Sequence, residues 1–484
     1  MGNKKLSALL SEGGAYAFSA EAEINKALAG FDKKVIVLDD DPTGVQTVHD
    51  VPVYTAWDQR SVDKGFTDAG MFFILTNSRG LTAENAATVN RDIASRVFEA
   101  SRAKDRDFVL ISRSDSTLRG HYPLETRTLK ERLEYLGYPP FDGEIICPFF
   151  IEGGRYTYCN IHYVLYGETL IPAGDTEFAK DKSFGYVSSD LTCWVEEKTG
   201  GEFRKEDVIA VSTEDIRRGG PVAVAKLLGR ARDFKKVVVN ALSYDDIKLF
   251  VAGYIKAALA GKRFMFRSAA AIPKVLGGIP DMPLLGRDQC ATGTENGGLT
   301  IIGSHVEKTT RQLMTLLEKT DVVPVEFNQH LVLEPAAFEA ERERVQTAAN
   351  DLIKSGKDAV IFTKRERIDM NTGSVEDELK LSRAISDAVT GFVKGLAAQP
   401  SYIIAKGGIT SSDIGTAGLL VKRATVAGQV LPGVPVWRLG EESRFPGMAY
   451  IIFPGNVGDD DALAKIVTMF NASSQPVAEG SEVL

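Results

Sequence analysis

The chain alternates short apolar runs with segments of helical periodicity, and this alternation constrains its fold more than any other feature. Fully apolar runs separated by helices are typical of strands buried between two helical layers in a parallel sheet. The sequence therefore predicts an α/β fold with mainly parallel sheets. In the first half the runs suited to buried strands are Val35–Leu38, Met71–Leu75, Phe108–Ile111, Glu144–Cys147, Val237–Val239 and Arg263–Phe266.

A second series of the same kind follows a glycine-rich, weakly periodic stretch, Gly277–Gly298. Because 484 residues exceed one ordinary hydrophobic core, two layered α/β domains are expected. The predicted boundaries are residues 1–285, a linker at 286–298, and residues 299–484. Predicted elements of the second domain are strands Leu299–Ile302, Val322–Phe327, Ala359–Phe362 and Tyr402–Ala405, and helices His305–Leu317, Ala336–Lys354 and Val375–Gly395.

Composition excludes several function classes. A net charge of −8 offers no overall basic field for nucleic acid. No apolar run approaches 18 residues, so no membrane span is predicted. Four cysteines without CxxC spacing are typical of a reduced, cytoplasmic protein rather than a disulfide scaffold or zinc site.

Three consecutive carboxylates, Asp39–Asp41, end the first apolar run and lead into Pro42-Thr43-Gly44. Such acids repel one another and lose hydration where a strand leaves a core. A fold tolerates this mainly at a site that handles cations, hydroxyl protons or phosphate. Since open α/β sheets bind ligands at the carboxyl ends of their strands, this turn is a predicted functional site.

The run Phe108–Ile111 also ends in a polar turn, Ser112–His121. Arg113 and Arg119 could hold a carboxylate or phosphate through paired N–H donors. Asp115 could accept hydrogen bonds from substrate hydroxyls or take a proton. The alternative is a surface turn with an Arg–Asp pair. Arg155 lies in a third, glycine-containing turn.

Three glycine turns follow strands in the second half, in the segments Ile301–Ser304, Lys406–Asp413 and Phe453–Gly458. Backbone N–H groups in such turns can bind an anion, and three turns in one domain indicate a nucleotide cleft. The acids Asp459–Asp461 are interpreted as helix-capping residues rather than metal ligands. No P-loop, protein-kinase motif or complete GxGxxG fingerprint is present.

A haloacid-dehalogenase-like phosphatase is an alternative interpretation. Asp39–Thr43 fits its DxDxT motif, with Asp39 as nucleophile and Asp41 as acid/base. Phe72–Asn77 fits its second motif, and Gly458-Asp459-Asp460 its acidic motif. That last match lies more than 400 residues downstream, where a compact phosphatase core should already have closed.

Most of the chain resembles the four-carbon acid sugar kinase family. Asp40–Gly44 matches the family's DDxTG motif, and Asp115–Gly120 matches DSTLRG, which is highly specific. Further matching segments are Gly154-Arg155, Thr176–Asp181, Gly407–Ser411, Pro432–Pro435 and Gly455–Gly458.

The resemblance implies an N-terminal domain that binds an acid sugar and a C-terminal domain that binds ATP, with an active-site cleft between them and magnesium as a second cofactor. Implied substrates are threonate, erythronate, their 3-oxo forms and related branched acids. A homodimer is compatible with this interpretation, and the metal ligands are not assigned. The implied catalytic residues are Asp40, Asp41 and Asp115; the substrate-binding residues are Thr43, Arg113, Ser116, Thr117, Arg119 and Arg155; the nucleotide-binding residues are Gly303, Ser304, Gly407, Gly408, Thr410, Ser411, Gly455, Asn456 and Gly458.

The three arginines would hold the substrate carboxylate or steady the moving phosphoryl group. Several positions depart from the family pattern. His121 stands for Asn, Arg113 for Lys, and Arg267-Ser268-Ala269-Ala270 for Gly-Ser-Ala-Gly. In the second half the departures are Val306, Ser412 and Phe453-Pro454. They fit a divergent subfamily with a different acid, or a degenerate protein that binds without catalysis.

Overall fold

The structure is a computed structural model that describes residues 2–68, 70–366, 375–455 and 457–471. The chain forms two compact units. The first comprises Met1–Pro283 and Leu419–Pro446, and the second comprises Leu284–Gly418 and Gly447–Leu484. The second unit is therefore interrupted by a segment that belongs to the first.

Over the described residues the strands are β1 Lys4–Lys5, β2 Lys34–Asp39, β3 Val51–Tyr54, β4 Met71–Leu75, β5 Phe108–Arg113, β6 Gly143–Cys147, β7 Arg155–Tyr158, β8 Ile161–Tyr166, β9 Thr169–Pro172, β10 Ile209–Val211, β11 Lys235–Val239, β12 Phe264–Ser268, β13 Leu299–Ile302, β14 Val323–Phe327, β15 Ala359–Thr363, β16 Ile403–Lys406, β17 Arg423–Leu431, β18 Val434–Leu439 and β19 Ala449–Phe453.

The α-helices are α1 Leu6–Glu12, α2 Ala20–Leu28, α3 Gln59–Thr67, α4 Ala83–Lys104, α5 Leu124–Tyr135, α6 Leu191–Lys198, α7 Thr213–Arg217, α8 Gly220–Leu228, α9 Tyr244–Leu259, α10 Ala271–Leu276, α11 Arg287–Cys290, α12 Glu307–Lys319, α13 Pro335–Lys354, α14 Val375–Lys394, α15 Gly408–Asp413 and α16 Ala462–Asn471. In the described part of the chain, none of these helices has the length and apolarity needed to cross a membrane.

The first unit is built on a sheet with strand order β10-β11-β6-β12-β5-β2-β4-β3-β17-β18. Strands β10 to β3 are mutually parallel, whereas β17 pairs antiparallel with both β3 and β18. A separate antiparallel sheet has the order β1-β9-β8-β7. The predicted α/β class with mainly parallel sheets is confirmed.

The central strands carry apolar side chains on both faces of the sheet. Ile36, Phe72 and Leu110 pack in one core with Ile93 and Val97 of α4. In strands, alternate side chains point to opposite faces. The intervening residues Val35, Val37 and Phe73 are also almost completely buried, so both faces of the sheet are covered.

The register of these parallel strands brings their carboxyl ends together. Asp39 at the end of β2 is paired with Arg113 at the end of β5, and Arg113 with Ser268 at the end of β12. On its other side, Asp39 is paired with Leu75 of β4. The polar turns that follow β2, β4, β5 and β12 therefore lie at one edge of the sheet.

The second unit contains one parallel sheet with strand order β19-β16-β13-β15-β14. From β13 the chain adds β14 and β15 on one side, and then β16 and β19 on the other. The topological switch point therefore lies between β13 and β16. Open α/β sheets form their ligand crevice at this point, beyond the carboxyl ends of the strands.

The hairpin β17–β18 belongs to the first unit, whereas the sequence analysis places residues 419–446 in the nucleotide-binding half. In the structure, β17 pairs with β3 of the first unit. Residues 286–298, expected to be a linker, include the short helix α11 and belong to the second unit. The proposed cleft between two domains stays a prediction.

Candidate functional site

Asp39 is the innermost of the three consecutive acids. Its side chain is 2 % exposed, Arg113 Nη1 donates to its Oδ1 at 3.1 Å, and its Oδ2 has no hydrogen-bond partner among the described residues. A Cβ on Gly44 would collide with this carboxyl group, so the turn closes directly over it. Burial raises the pKa of Asp39 to about 7, although Arg113 acts in the opposite direction.

Asp40 is held by a bidentate ion pair with Arg79. Arg79 Nη2 donates to Asp40 Oδ1 at 2.7 Å and Nε to Oδ2 at 3.1 Å. Ser114 Oγ also donates to Oδ2, at 3.0 Å. A paired guanidinium and carboxylate fix each other's orientation as well as charge. Asp40 is therefore a fixed negative group with both oxygens occupied.

Asp41 is the most accessible of the three carboxylates, with 18 % of its side chain exposed. The backbone N–H and hydroxyl of Thr43 donate to its Oδ1 at 2.8 and 2.6 Å. Its Oδ2 lies 3.5 Å from Arg79 Nη1. Burial acts to raise the pKa of Asp41, but Arg79 and Thr43 outweigh it and lower the pKa, so the carboxylate is ionised at neutral pH.

The loop after β5 carries a second charged pair. Arg119 Nε donates to Asp115 Oδ2 at 2.8 Å, and the Thr117 hydroxyl donates to the same oxygen. The Asp115 Oδ1 atom lies 4.0 Å from Arg79 Nη1, which joins this loop to the acids after β2. Although burial opposes it, Arg119 and Arg79 hold the pKa of Asp115 well below its usual range.

Arg155 begins β7 and is the cation of this group that lacks a carboxylate partner among the described residues. Its Nε has no hydrogen-bond partner there, and its half-buried guanidinium lies 5.5 Å from the ring centre of Phe178. Arg119 lies 5.1 Å from the same ring. Phe178 thus lies close to both guanidinium groups. Such a pair has donors left for an anionic ligand.

Arg113, in contrast, is almost completely buried and directed toward Asp39 and Asp40, at 3.1 and 3.6 Å. Its charge offsets the buried acids, so a direct role in substrate binding stays a prediction.

Ser116 is buried, and its carbonyl oxygen accepts a hydrogen bond from His162 Nε2 at 2.8 Å. Burial lowers the pKa of His162 to about 4, and this neutral histidine holds the loop.

Sequence reasoning missed Arg79, although it contacts Asp40, Asp41 and Asp115. It follows β4, a neighbour of β2, so the rule that polar turns meet at strand ends could have found it. Glu125 was also missed. The Ser78 hydroxyl donates to its buried carboxyl group, and burial raises its pKa to about 7.

In the second unit, two of the predicted glycine turns meet at the switch point. A Cβ on Gly303 would collide with the Thr410 side chain, and one on Gly407 would lie 3.2 Å from Ser304 Cβ. Gly407 has a φ of +120°, which favours glycine. The turns after β13 and β16 therefore pack closely against each other, with the side chains of Ser304 and Thr410 between them.

The turn after β19 reaches the same place. A Cβ on Gly455 would lie 3.1 Å from Ser304 Oγ, and Thr309 Oγ1 donates to the Gly455 carbonyl at 3.1 Å. Predicted residues Gly303, Ser304, Gly407, Thr410 and Gly455 are thus brought together. Of the other predicted nucleotide-binding residues, Gly408 begins α15, and the Ser411 hydroxyl donates to the Ala405 carbonyl. Gly458 lies near Gln312. Asn456 lies outside the described residues.

Lys406 is a further residue at this edge that the sequence analysis did not select. It is completely buried, its Nζ donates to the Pro454 carbonyl at 2.9 Å, and it lies 3.8 Å from the ring centre of Phe453. Burial lowers its pKa to about 7. Arg365 was also missed; it follows β15, and its Nη2 donates to the Ser304 carbonyl.

A protein-built metal site is not found among the described residues, which contain no group of three metal-ligating side chains. Asp459 and Asp461 form ion pairs with Lys465 and Lys319, and Asp460 with Arg311. The role of these three acids at the start of α16 stays a prediction. Among the described residues, no set of side chains fits a bound magnesium ion.

Comparisons with known proteins define the family. Residues 35–276 match the model of a sugar-binding N-terminal domain, and residues 299–463 match that of a nucleotide-binding C-terminal domain. The chain is thus a two-domain protein that pairs a sugar-binding with a nucleotide-binding module. It belongs to the four-carbon acid sugar kinase family.

Two solved structures share this fold. A Haemophilus influenzae protein of the DUF1537 family is 17 % identical, with a TM-score of 0.58, over 90 % of this chain and 100 % of its own. A Salmonella typhimurium LT2 protein, provisionally described as a tRNA synthase, is 16 % identical, with a TM-score of 0.62. The match covers 90 % of this chain and 98 % of the Salmonella chain. No curated protein matches the chain.

The phosphatase alternative lacks support in the geometry. A nucleophile must reach the phosphorus atom, but Asp39 is enclosed by Gly44 and held by Arg113. Its raised pKa also keeps a large share of the carboxyl group protonated near pH 7. The acidic segment Asp459–Asp461 belongs to the second unit, where each acid has a basic partner.

Proposed function

We propose that this protein is an ATP-dependent kinase that phosphorylates a terminal hydroxyl group of a small sugar acid. The observation that carries the proposal is the arrangement at one edge of the first sheet. There, Asp41 and Asp115 are ionised, and the charge of Asp115 acts on Arg155, a guanidinium that forms no ion pair among the described residues. A polyhydroxy acid presents the complementary groups, which are hydroxyl donors and one carboxylate.

Within this proposal, Asp41 binds the attacking hydroxyl group. Asp41 is the most exposed of the three acids, and Thr43 occupies only its Oδ1, while Arg79 lies 3.5 Å from its Oδ2. The unpartnered Oδ2 of Asp39 is enclosed by Gly44 and cannot serve in its place. As the hydroxyl oxygen bonds to the γ-phosphorus and the bond to ADP breaks, Asp41 takes the hydroxyl proton. A weakly basic carboxylate suits a loose transition state in which the proton leaves late. Asp40 and Asp115 orient Arg79 and Arg119.

Arg119 and Arg155 would bind the substrate carboxylate, and Phe178 would keep their planar groups in place. ATP would bind at the switch point of the second unit, where the turns containing Gly303, Gly407 and Gly455 meet. Backbone N–H groups there would face the phosphates. Magnesium, where required, would be carried by the nucleotide phosphates, and no protein residue is assigned to it.

The test is an ATP-consumption screen with threonate, erythronate, their 3-oxo forms and five-carbon acids. We expect ADP release with at least one acid, and a fall in kcat of about 100-fold or more in Asp41→Asn, the usual contribution of a general base. Asp175→Asn, at an exposed position of the same unit, serves as the matched control.

The proposal fails if no acid stimulates ADP release and the protein instead hydrolyses phosphate esters, with that hydrolysis abolished in Asp39→Asn. It also fails if an acid sugar and ATP both bind without turnover, since that outcome identifies a protein that binds without catalysis. Location in the cytoplasm and assembly as a homodimer stay predictions.

A further inference from the structure

Arg267 is the most unusual buried side chain of the first unit. It lies in β12, is 1 % exposed, and has no carboxylate within ion-pair distance among the described residues. Its Nε has no hydrogen-bond partner there. A buried, unpaired cation is costly, so packing alone does not account for arginine at this position.

Both terminal nitrogens of Arg267 hold the loop that follows β5. Nη1 donates to the carbonyl oxygen of Asp115 at 3.2 Å, and Nη2 donates to that of Arg119 at 3.1 Å. One rigid, planar group thus fixes the first and last residues of the Asp115–Arg119 segment. The guanidinium is itself supported by Trp194, whose ring centre lies 5.5 Å away.

Two of the three carbonyl groups between these two points also accept hydrogen bonds from buried side chains. His162 Nε2 donates to the carbonyl of Ser116 at 2.8 Å, and the Tyr186 hydroxyl donates to that of Thr117 at 2.8 Å. His162 and Tyr186 are buried and neutral at physiological pH, since burial lowers the pKa of the first and raises that of the second. Buried groups thereby fix the backbone of this segment, while the side chains of Asp115 and Arg119 remain 11 % and 23 % exposed.

We propose that Arg267 is a positioning residue that, with His162 and Tyr186, clamps the backbone of the Asp115–Arg119 loop in its substrate-binding conformation. This inference rests on the proposed function for what the loop binds, but the clamp itself rests on the hydrogen bonds above. Arg267 also places a positive charge behind the loop. Asp115, Asp40 and Glu125 are the acids whose fields act on it.

Both hydrogen bonds depend on the guanidinium group, because a short side chain at this position would reach neither carbonyl oxygen. Arg267 and the loop both belong to the first unit. We therefore expect the clamp to affect the binding and turnover of the acid, and not the nucleotide site.

The test compares the full chain with Arg267→Met and Arg267→Lys. Lysine keeps the charge but can reach only one of the two carbonyl oxygens. We expect faster amide hydrogen exchange over residues 114–121 in both variants, strongest in Arg267→Met. For the acid substrate, kcat/KM should fall about 100-fold in Arg267→Met, as expected when a reacting group is misplaced by about 1 Å. The KM for ATP should stay within about twofold, and Arg267→Lys should recover part of the loss.

Arg218→Met is the control, because this arginine of the same unit is largely exposed. The inference is overturned if a folded Arg267 variant shows wild-type exchange over residues 114–121, or unchanged kcat/KM for the acid. If wild-type protein phosphorylates no acid, the proposed function fails. Hydrogen exchange then still decides whether Arg267 holds the loop.

Discussion

At the scale of single residues, charge pairing separates the arginines of the candidate acid-sugar site into two groups. Arg79 and Arg113 are paired with the buried acids that follow β2. Arg119 is paired with Asp115, and Arg155 has no carboxylate partner among the described residues. Arg155 is therefore the better source of donors for a substrate carboxylate, since no internal ion pair uses its guanidinium group, whereas Arg119 offers only the N–H groups that Asp115 does not accept.

The first prediction concerns Arg155→Met. A hydrogen bond to a charged group contributes about 1.5–3 kcal/mol, so the KM for the acid should rise about 10- to 100-fold. The KM for ATP should not change, because Arg155 belongs to the first unit. Steady-state kinetics measures both values. Arg60→Met, at an exposed arginine of the same unit, is the control. Equal KM values for Arg155→Met and Arg60→Met would remove Arg155 from the carboxylate site.

The second prediction concerns Asp39 and pH. Because burial raises the pKa of Asp39 to about 7, the folded state retains its proton over a range where the unfolded chain has lost it. Its contribution to stability is complete below about pH 4 and is lost as pH rises through 7. In Asp39→Asn this dependence is absent.

Urea denaturation of both proteins between pH 5 and 8 measures this effect. The free energy of unfolding of the wild type, relative to Asp39→Asn, should fall by about 1–3 kcal/mol across this range. A difference that stays constant would show that Asp39 is ionised throughout. Asp39→Asn should also retain ATP-dependent turnover, whereas a phosphatase nucleophile would not tolerate the change.

The sequence predicted much of this site because its residues follow strands. Asp40, Asp41 and Asp115 stand where apolar runs end, and parallel pairing brings such ends together. The sequence could not predict which charges pair. Whether Arg113 turns inward or toward a ligand depends on the burial of Asp39. Arg267 shows the same limit, because its partners are carbonyl groups more than 140 residues away along the chain.

At the scale of elements, the second unit depends on three turns that follow β13, β16 and β19. Their close approach requires small residues, and Gly407 in addition requires a positive φ. The sequence identified all three turns from glycine after a strand. The strand order, which places the turns after β13 and β16 at the switch point, could be established only from the structure.

The third prediction therefore concerns Gly407→Ala. The new Cβ would lie 3.2 Å from Ser304 Cβ, in a backbone conformation unfavourable to alanine. We expect the Kd for ATP to rise about tenfold or more, since a shift of one turn displaces its N–H donors; about 1.4 kcal/mol suffices for this change. Isothermal titration calorimetry measures this Kd.

Gly356→Ala is the matched control. Gly356 also has a positive φ, +77°, and a Cβ there would lie 3.1 Å from a backbone oxygen, but it follows α13 rather than a predicted nucleotide turn. Both variants should lose thermal stability, whereas only Gly407→Ala should lose ATP affinity. Equal ATP affinities in the two variants would contradict the assignment of this turn.

At the scale of the whole molecule, the first unit is built from two segments that are far apart in the sequence, Met1–Pro283 and Leu419–Pro446. The nucleotide-binding family model spans residues 299–463, which include β17 and β18. These two strands belong to the first unit, where Arg423 of β17 is paired with Tyr54 of β3 and lies 3.2 Å from Asp68. Gln46 also donates to the carbonyl of Gly433 in the hairpin turn. The sugar-binding unit is therefore incomplete until the chain has passed through most of the second unit.

The last prediction follows from this order. A fragment of residues 1–283 lacks the hairpin, so β3 becomes an edge strand with unpaired backbone groups and with Val51 and Val53 newly exposed. We expect this fragment to aggregate or to unfold without a cooperative transition. Fusing residues 419–446 to it through a flexible linker of about 20 residues should restore cooperative unfolding, because such a linker spans about 25 Å on average.

Differential scanning calorimetry and sedimentation compare the two fragments. A fragment 1–283 that is monomeric and unfolds at the temperature of the fusion would show that the hairpin is dispensable, and the boundary of the sugar-binding unit would then lie at Pro283.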